Sequence, residues 1–179
     1  MLDYLTIIFV FDLNYIFAIM NMILIRKAKA NDMVSVLDLI KELAKFEKEP
    51  NSVSIKVSDL INDGFCSNPK FRCFVAEIKN KVVGMALFYS RYSTWKGKTL
   101  HLEDLVVKKA FRGKGIGKKL YKKFIEIAKE EKVMRAEWVA LDWNVDAIKF
   151  YKNSGAKVLS DWKTIQIDKK SINNYLIKK

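Results

Sequence analysis

The run Arg112-Gly-Lys-Gly-Ile-Gly117 places three glycines and two cations in six residues, directly ahead of an amphipathic segment carrying Ile116, Leu120, Phe124 and Ile127. Glycines permit positive φ and close backbone approach, and the first N–H groups of a helix have no intrahelical partner. A turn of this kind is therefore a site for a pyrophosphate. Lys108, Lys109, Lys118 and Lys119 surround it with further positive charge. The glycine spacing is not G-x-G-x-x-G, and no Gly-Lys-Ser/Thr ending follows, which speaks against dinucleotide and nucleoside triphosphate chemistry. His101 is the sole histidine, so a histidine metal cluster is ruled out and a Ser-His-Asp or Cys-His mechanism would rest on that one imidazole. Cys66 and Cys73 match no zinc or redox spacing. So few cysteines argue against a disulfide framework and for a reducing cytoplasm.

The elements that must hold these residues follow from hydrophobic period and turn chemistry. Met22 to Arg26 is a short β-prone run, and Asn31 and Asp32 can cap a helix with Met33, Val36, Leu37, Ile40, Leu43 and Ala44 at three-four spacing. A second helix starts near Ser58 and stops at Gly64. Arg72 to Ile78 and Val82 to Ser90 flank Lys79-Asn80-Lys81 and predict a β-hairpin. A long strand spans Thr99 to Lys108 and feeds the glycine turn, and another strand covers Arg135 to Leu141. Asn144 caps a helix with Ile148 and Tyr151 that ends at Gly155, and Trp162 to Ile167 is strand-like. Three strands in succession, then strand–helix–strand–helix–strand, predict an α+β domain around one mixed sheet flanked by helices.

At 179 residues and half hydrophobic, the chain suits one ordinary domain with a sizeable core. The formal charge of +13 favours an anionic partner, whether nucleic acid, an acidic membrane or a phosphorylated cofactor, over a polycationic one. Residues 1–21 form an apolar leader whose only charges are Asp3 and Asp12. It lacks the basic start of a secretory signal, and Asp12 would be costly at the centre of a bilayer. The leader reads as an upstream extension ahead of a domain over residues 22–170, with a membrane anchor through residues 1–20 as the alternative. Residues 171–179 form a basic tail.

Taken together, Leu102-Glu-Asp-Leu-Val-Val107, Arg112 to Gly117, Trp143-Asn144, Lys149-Phe-Tyr-Lys152 and Gly155-Ala156 resemble the GNAT acetyltransferase superfamily. Within it, Ile40 to Glu47, Asp59 to Phe65 and Trp95-Lys-Gly-Lys98 resemble the diamine acetyltransferases of the spermidine/spermine type. The resemblance implies transfer of an acetyl group from acetyl-coenzyme A to an amine, without a metal. It implies that Leu105, Val106 and Val107 hold the acetyl and pantetheine portion. Arg112, Gly113, Lys114, Gly115, Ile116 and Gly117 would hold the pyrophosphate. Asn144, Val145, Asp146 and Ala147 would line another edge of the coenzyme. Tyr151 matches the family's proton donor to the leaving thiolate and Glu103 a glutamate of the amine site. Phe46, Glu47, Trp95, Glu137, Trp138 and Val139 match substrate-contact positions, with Asp161 in the short acidic stretch that follows Gly155-Ala156. A homodimer is also implied.

Glu103 sits in an apolar strand, where period-two alternation puts it on one face with Leu105 and Val107, and Asp104 on the other with Val106. Tyr151 follows Asn144 by seven residues, two helical turns, so both lie along one helix face. Two departures bear on the acceptor. Ser93 stands where diamine-specific relatives carry an acid, and Ser160-Asp161-Trp162 replaces a longer acidic run. A distal ammonium needs a carboxylate partner once desolvated, so both weaken the polyamine reading. The acceptor alternatives are a small polyamine, diamine or lysine-like amine, and a protein lysine or N-terminus. A basic nucleic-acid-binding module is the alternative of another class, although no recognition motif supports specific nucleic-acid binding.

Overall fold

The computed structural model describes residues 23–177, which divide into two units between Val139 and Ala140. In the first unit, β1 (Leu24–Lys27), β2 (Arg72–Ile78), β3 (Lys81–Ser93), β4 (Gly97–Val107) and β5 (Arg135–Glu137) form one sheet in sequence order. The first four strands pair antiparallel, whereas β4 and β5 are parallel. The sheet is mixed, as expected. Helices α1 (Met33–Phe46) and α2 (Val57–Gly64) precede β2, and α3 (Ile116–Glu130) connects β4 to β5.

Both sheet faces are covered. Met33, Val36, Leu37 and Leu39 of α1 and Leu60 of α2 form a core with Val75, Met85, Leu87 and Val106. On the other face, Phe88 stacks on Phe74 and meets Phe124 of α3 edge-on, at centroid distances of 5.7 and 5.4 Å. Each such side chain, fully buried, contributes about 1.5–3 kcal/mol relative to exposure. Gly84 is needed for the close approach of β3 to β4, because a Cβ there would lie 2.9 Å from the Val106 carbonyl oxygen. Arg26 of β1 binds Glu77 of β2 and Asp32 ahead of α1 through four hydrogen bonds of 2.6–2.9 Å. The Arg26 side chain holds the Asp32 carboxyl below its ordinary range, with the Lys29 N–H assisting. This places the front of α1 against the β1 edge.

The second unit holds α4 (Val145–Asn153) and α5 (Lys169–Ile177). Asn144 caps α4 as expected, its side chain accepting from the Ala147 N–H at 3.3 Å. Gly155 follows the helix with φ of 91°, the left-handed region that glycine enters without a Cβ clash. One expectation fails here, since residues 162–167 form no strand; part of the basic tail is helical. Asp168 starts α5, its carboxylate accepting from the Ser171 N–H at 2.7 Å. The β5 strand also ends at Glu137 rather than Leu141. The apolar leader lies outside the described residues.

Candidate active site

Pairing between β3 and β4 slips once. Leu87 faces Asp104 and the next residue, Phe88, faces Leu102, so Glu103 is an extra residue without a partner on β3. Such a bulge breaks the alternation of the strand. The expectation that Glu103 and Asp104 take opposite faces is thereby corrected. Their carboxyls lie close enough for the charge of Glu103 to raise the Asp104 pKa. Burial is the larger cause, Glu47 at the C-terminal end of α1 adds to it, and together they push Asp104 up to about 7. Loss of surrounding water also raises Glu47 above its ordinary value. The Tyr89 phenol is raised by burial and by the adjacent Glu103 carboxylate, with Arg91 opposing. The bulge thus gathers Glu47, Glu103 and Asp104 into one acidic cluster. An alkylammonium is a natural counterion for it.

Beside the cluster, His101 stacks on Tyr89 at 5.1 Å, with Nε2 3.7 Å from Glu103 and Nδ1 3.9 Å from Glu137. Glu137 is itself held by Arg91 and, at 2.8 Å, by Arg135. The sequence signal missed here was the adjacent acid pair Glu103-Asp104 inside an apolar strand, since two consecutive acids cannot both be explained by one solvent face.

The β4–β5 ladder covers three residue pairs, from Thr99↔Arg135 to His101↔Glu137. Beyond it, no strand among the described residues pairs with the β5 side of β4, so Leu105, Val106 and Val107 lie on a ledge that no strand covers. The glycine turn follows. Gly113 and Gly115 have φ of 75° and 74°, and no side chain caps α3. Lys119 donates to the Gly115 carbonyl, leaving the N–H groups of Ile116, Gly117 and Lys118 without an acceptor among the described residues. A Cβ on Gly113 would meet nothing within 4 Å, and one on Gly117 only Val107 at 3.9 Å. The space before these glycines is therefore not needed by the protein's own packing. It fits a phosphate on a helix N-terminus. Arg112 donates through Nε to the Val107 carbonyl at 2.9 Å and lies 5.3 Å over the Phe46 ring. It thus ties the turn to the ledge and to the residue preceding Glu47.

Residues 37–156 match the model of the Acetyltransferase (GNAT) family. The chain belongs to that family. It is an acetyl-coenzyme A-dependent N-acetyltransferase. The enzyme is 41% identical over 150 residues to thialysine N-ε-acetyltransferase of Bos taurus, covering 79% of this chain and 88% of that one. It is 37% identical over 143 residues to spermidine/spermine N(1)-acetyltransferase-like protein 1 of Homo sapiens, over 76% of this chain and 21% of that longer one. An integron cassette protein from the mobile metagenome of V. cholerae shares the fold, with a TM-score of 0.71 at 24% identity over 88% of this chain and 99% of that one.

The other expected site residues of the enzyme are placed as follows. Trp95 stands at the tip of the β3–β4 hairpin, 78% exposed, about 20 Å along β4 from Glu103 at strand rise. The first unit does not bring it to the acidic cluster. Trp138 meets Tyr121 and Phe124 of α3 edge-on at 5.6 and 6.4 Å, so its ring serves the core, while Val139 is exposed. The second unit carries Asn144, Val145, Asp146 and Ala147 at the head of α4, Tyr151 in its last turn and Asp161 exposed in a turn. Among the described residues, no group of His, Cys, Asp and Glu could hold a metal ion, and no helix is long and apolar enough to cross a membrane.

Proposed function

We propose that the enzyme acetylates the side-chain amine of a lysine-like amino acid or a short polyamine. The observation that carries this reading is the convergence of Glu47, Glu103 and Asp104 at the β4 bulge. A protein surface offers an ammonium few reasons to leave water, whereas three coupled carboxyls attract one and orient it. Similarity to enzymes named for thialysine supports a lysine-like acceptor. Ser93, with Lys96 and Lys98 on the same hairpin, disfavours the distal ammonium of a long polyamine.

Acetyl-coenzyme A supplies an activated thioester acetyl when bound. In this reading the N–H groups of Ile116, Gly117 and Lys118, with Arg112 and Lys114, hold its pyrophosphate, and the ledge of Leu105, Val106 and Val107 positions its pantetheine arm. Asn144, Val145, Asp146 and Ala147 take the further edge that the resemblance implies. Glu103 accepts the proton that an ammonium, with an ordinary pKa near ~10, must lose before attack. Tyr151 gives a proton to the departing thiolate. We further infer a homodimer, on the resemblance. A reducing cytoplasm is supported by the free thiols of Cys66 and Cys73, the latter buried and pushed up to about 12.

The deciding experiment is an acetyl-transfer assay with thialysine, lysine, ornithine, putrescine, spermidine, spermine and a lysine peptide. Thialysine and lysine should give the highest kcat/KM and the peptide the lowest. A peptide preferred by tenfold or more would overturn the small-amine reading.

A further inference from the structure

His101 has no role in the chemistry above, yet it is the only imidazole in the chain, and its side chain is just 13% exposed. Its Nδ1 is buried without a hydrogen-bond partner. The ring stacks on Tyr89 with 28° between the planes, and its two nitrogens lie 3.7 and 3.9 Å from two different carboxylates, Glu103 on β4 and Glu137 on β5. Glu137 is held by Arg91 from β3 and Arg135 from β5, so a fixed carboxylate stands beside Nδ1 and favours a proton on that nitrogen. That leaves the Nε2 lone pair directed at Glu103. A carboxylate holding one imidazole nitrogen so that the other can accept a proton is the logic of His–Asp pairs in hydrolases, reached here on a β-sheet edge. The two separations exceed hydrogen-bond length by less than 1 Å, a looseness common before substrate tightens a site.

We propose that His101 is the proton outlet of the enzyme, a relay and positioning residue acting through Glu103 without touching the amine; this rests on the amine-acetylation reading above. The N–H bond of the bound ammonium breaks and its proton passes to the Glu103 carboxylate. The resulting Oε2–H proton passes to Nε2 of neutral His101. The imidazolium then sits between Glu103 and Glu137, and because Nδ1 is buried it finally yields the proton through Nε2 to water at the half-exposed Glu103. One proton leaves for each amide formed, as the overall reaction of an ammonium with a thioester requires. The need for such a relay follows from ordinary acidities. A carboxylate is a far weaker base than an alkyl amine, and an imidazole lies between the two. Asp104, which feels the charges of both Glu103 and Glu47, adds to the cluster without offering a nitrogen base.

Two measurements test the relay. In the first, His101→Gln and His101→Phe, the latter keeping the ring stack on Tyr89, are compared with the wild type in kcat/KM for thialysine from pH 6 to 10. Both should lose about 10- to 100-fold at pH 7 and recover toward wild type near pH 10, where the amine is already neutral. The wild-type fall on the acid side should give way to a steady rise toward the amine's own pKa. A loss of equal size at every pH marks a packing role and overturns the proposal, as does unchanged kcat/KM. The second measurement needs no substrate. With one histidine, a 15N-histidine-labelled sample gives a single pair of ring nitrogen signals, and at pH 8 they should report the Nδ1–H tautomer. Glu137→Gln should shift the tautomer toward Nε2–H. An Nε2–H tautomer in the wild type refutes the relay whatever the amine assays show. Absence of acetylation across the whole amine panel would instead refute the functional reading, leaving the tautomer to decide the imidazole's arrangement.

Discussion

Asp104 invites the most quantitative perturbation. Its carboxyl is raised from 3.8 to about 7, first by burial and then by the charges of Glu103 and Glu47. The folded enzyme therefore holds this proton more tightly than the unfolded chain. Between about pH 4 and pH 7 the unfolded chain has released a proton that the fold retains, so stability falls as pH rises through that window. At 1.36 kcal/mol per pH unit the accumulated cost above pH 7 is about 4 kcal/mol. Asp104→Asn keeps the shape of the side chain and removes the charge. The variant should match wild type at pH 4 and melt higher at pH 8. At ~2–4 °C per kcal/mol for a chain of this size, the gain approaches ~10 °C. The same variant should show a higher KM for the amine at pH 8, because the cluster has lost one of the charges facing the ammonium, an exchange of activity for stability familiar at strained sites. Thermal melts at pH 4, 6 and 8, paired with amine KM at pH 8, provide the check. A melting gain of equal size at all three pH values, or a loss at pH 8, would refute the argument that an ionised Asp104 strains the fold.

Other substitutions separate the remaining roles. Tyr151→Phe deletes a phenolic proton donor and keeps the ring, so kcat should fall ~10²- to 10⁴-fold with acetyl-coenzyme A affinity nearly unchanged, measured by steady-state kinetics and calorimetric titration. Gly117→Ala is the cleanest probe of the phosphate turn, because its Cβ would meet only Val107 at 3.9 Å. Melting should be unchanged while calorimetry shows weaker acetyl-coenzyme A binding. Arg26→Met leaves Asp32 with only the Lys29 N–H and Glu77 without its cation, both part-buried, and should cost about 1–3 kcal/mol in urea unfolding at pH 7. That cost should shrink under acid, because Asp32, held low by Arg26 in the wild type, loses its contribution as pH falls.

Much of this enzyme could be read locally. The β2–β3 hairpin turns at Lys79 and Asn80 with φ of 49° and 60°, and a two-residue turn between alternating apolar runs announces itself in sequence. The strand, glycine turn and helix from β4 to α3, and the Asn144 cap, are likewise short-range devices whose partners lie within a few residues. The bulge at Glu103 was not legible, because it is a mismatch between two strands whose registers are set by packing on both sheet faces. The Arg26–Glu77 bridge joins residues 51 positions apart and leaves no periodic trace. Thr164, Ile165 and Ile167 have β-prone side chains, but a strand needs a neighbour to pair with, and none is formed in the described residues. The α5 helix was announced by Asp168, three residues before the Ser171 N–H that it accepts, and the basic composition of the tail obscured that cap.

The short β4–β5 ladder carries a consequence for the life of the protein outside its reaction. From Leu102 onward no strand among the described residues pairs with the β5 side of β4, along Leu105, Val106 and Val107, which is the kind of edge on which other chains can template themselves. A coenzyme held along that row, as the proposed function has it, would act as a surrogate strand and close the edge. Ligand-free enzyme would then be the species that self-associates when crowded or warmed, and the cellular ratio of acetyl-coenzyme A to enzyme would govern its persistence as well as its turnover. At 100-fold excess over Kd the bound state gains about 2.7 kcal/mol.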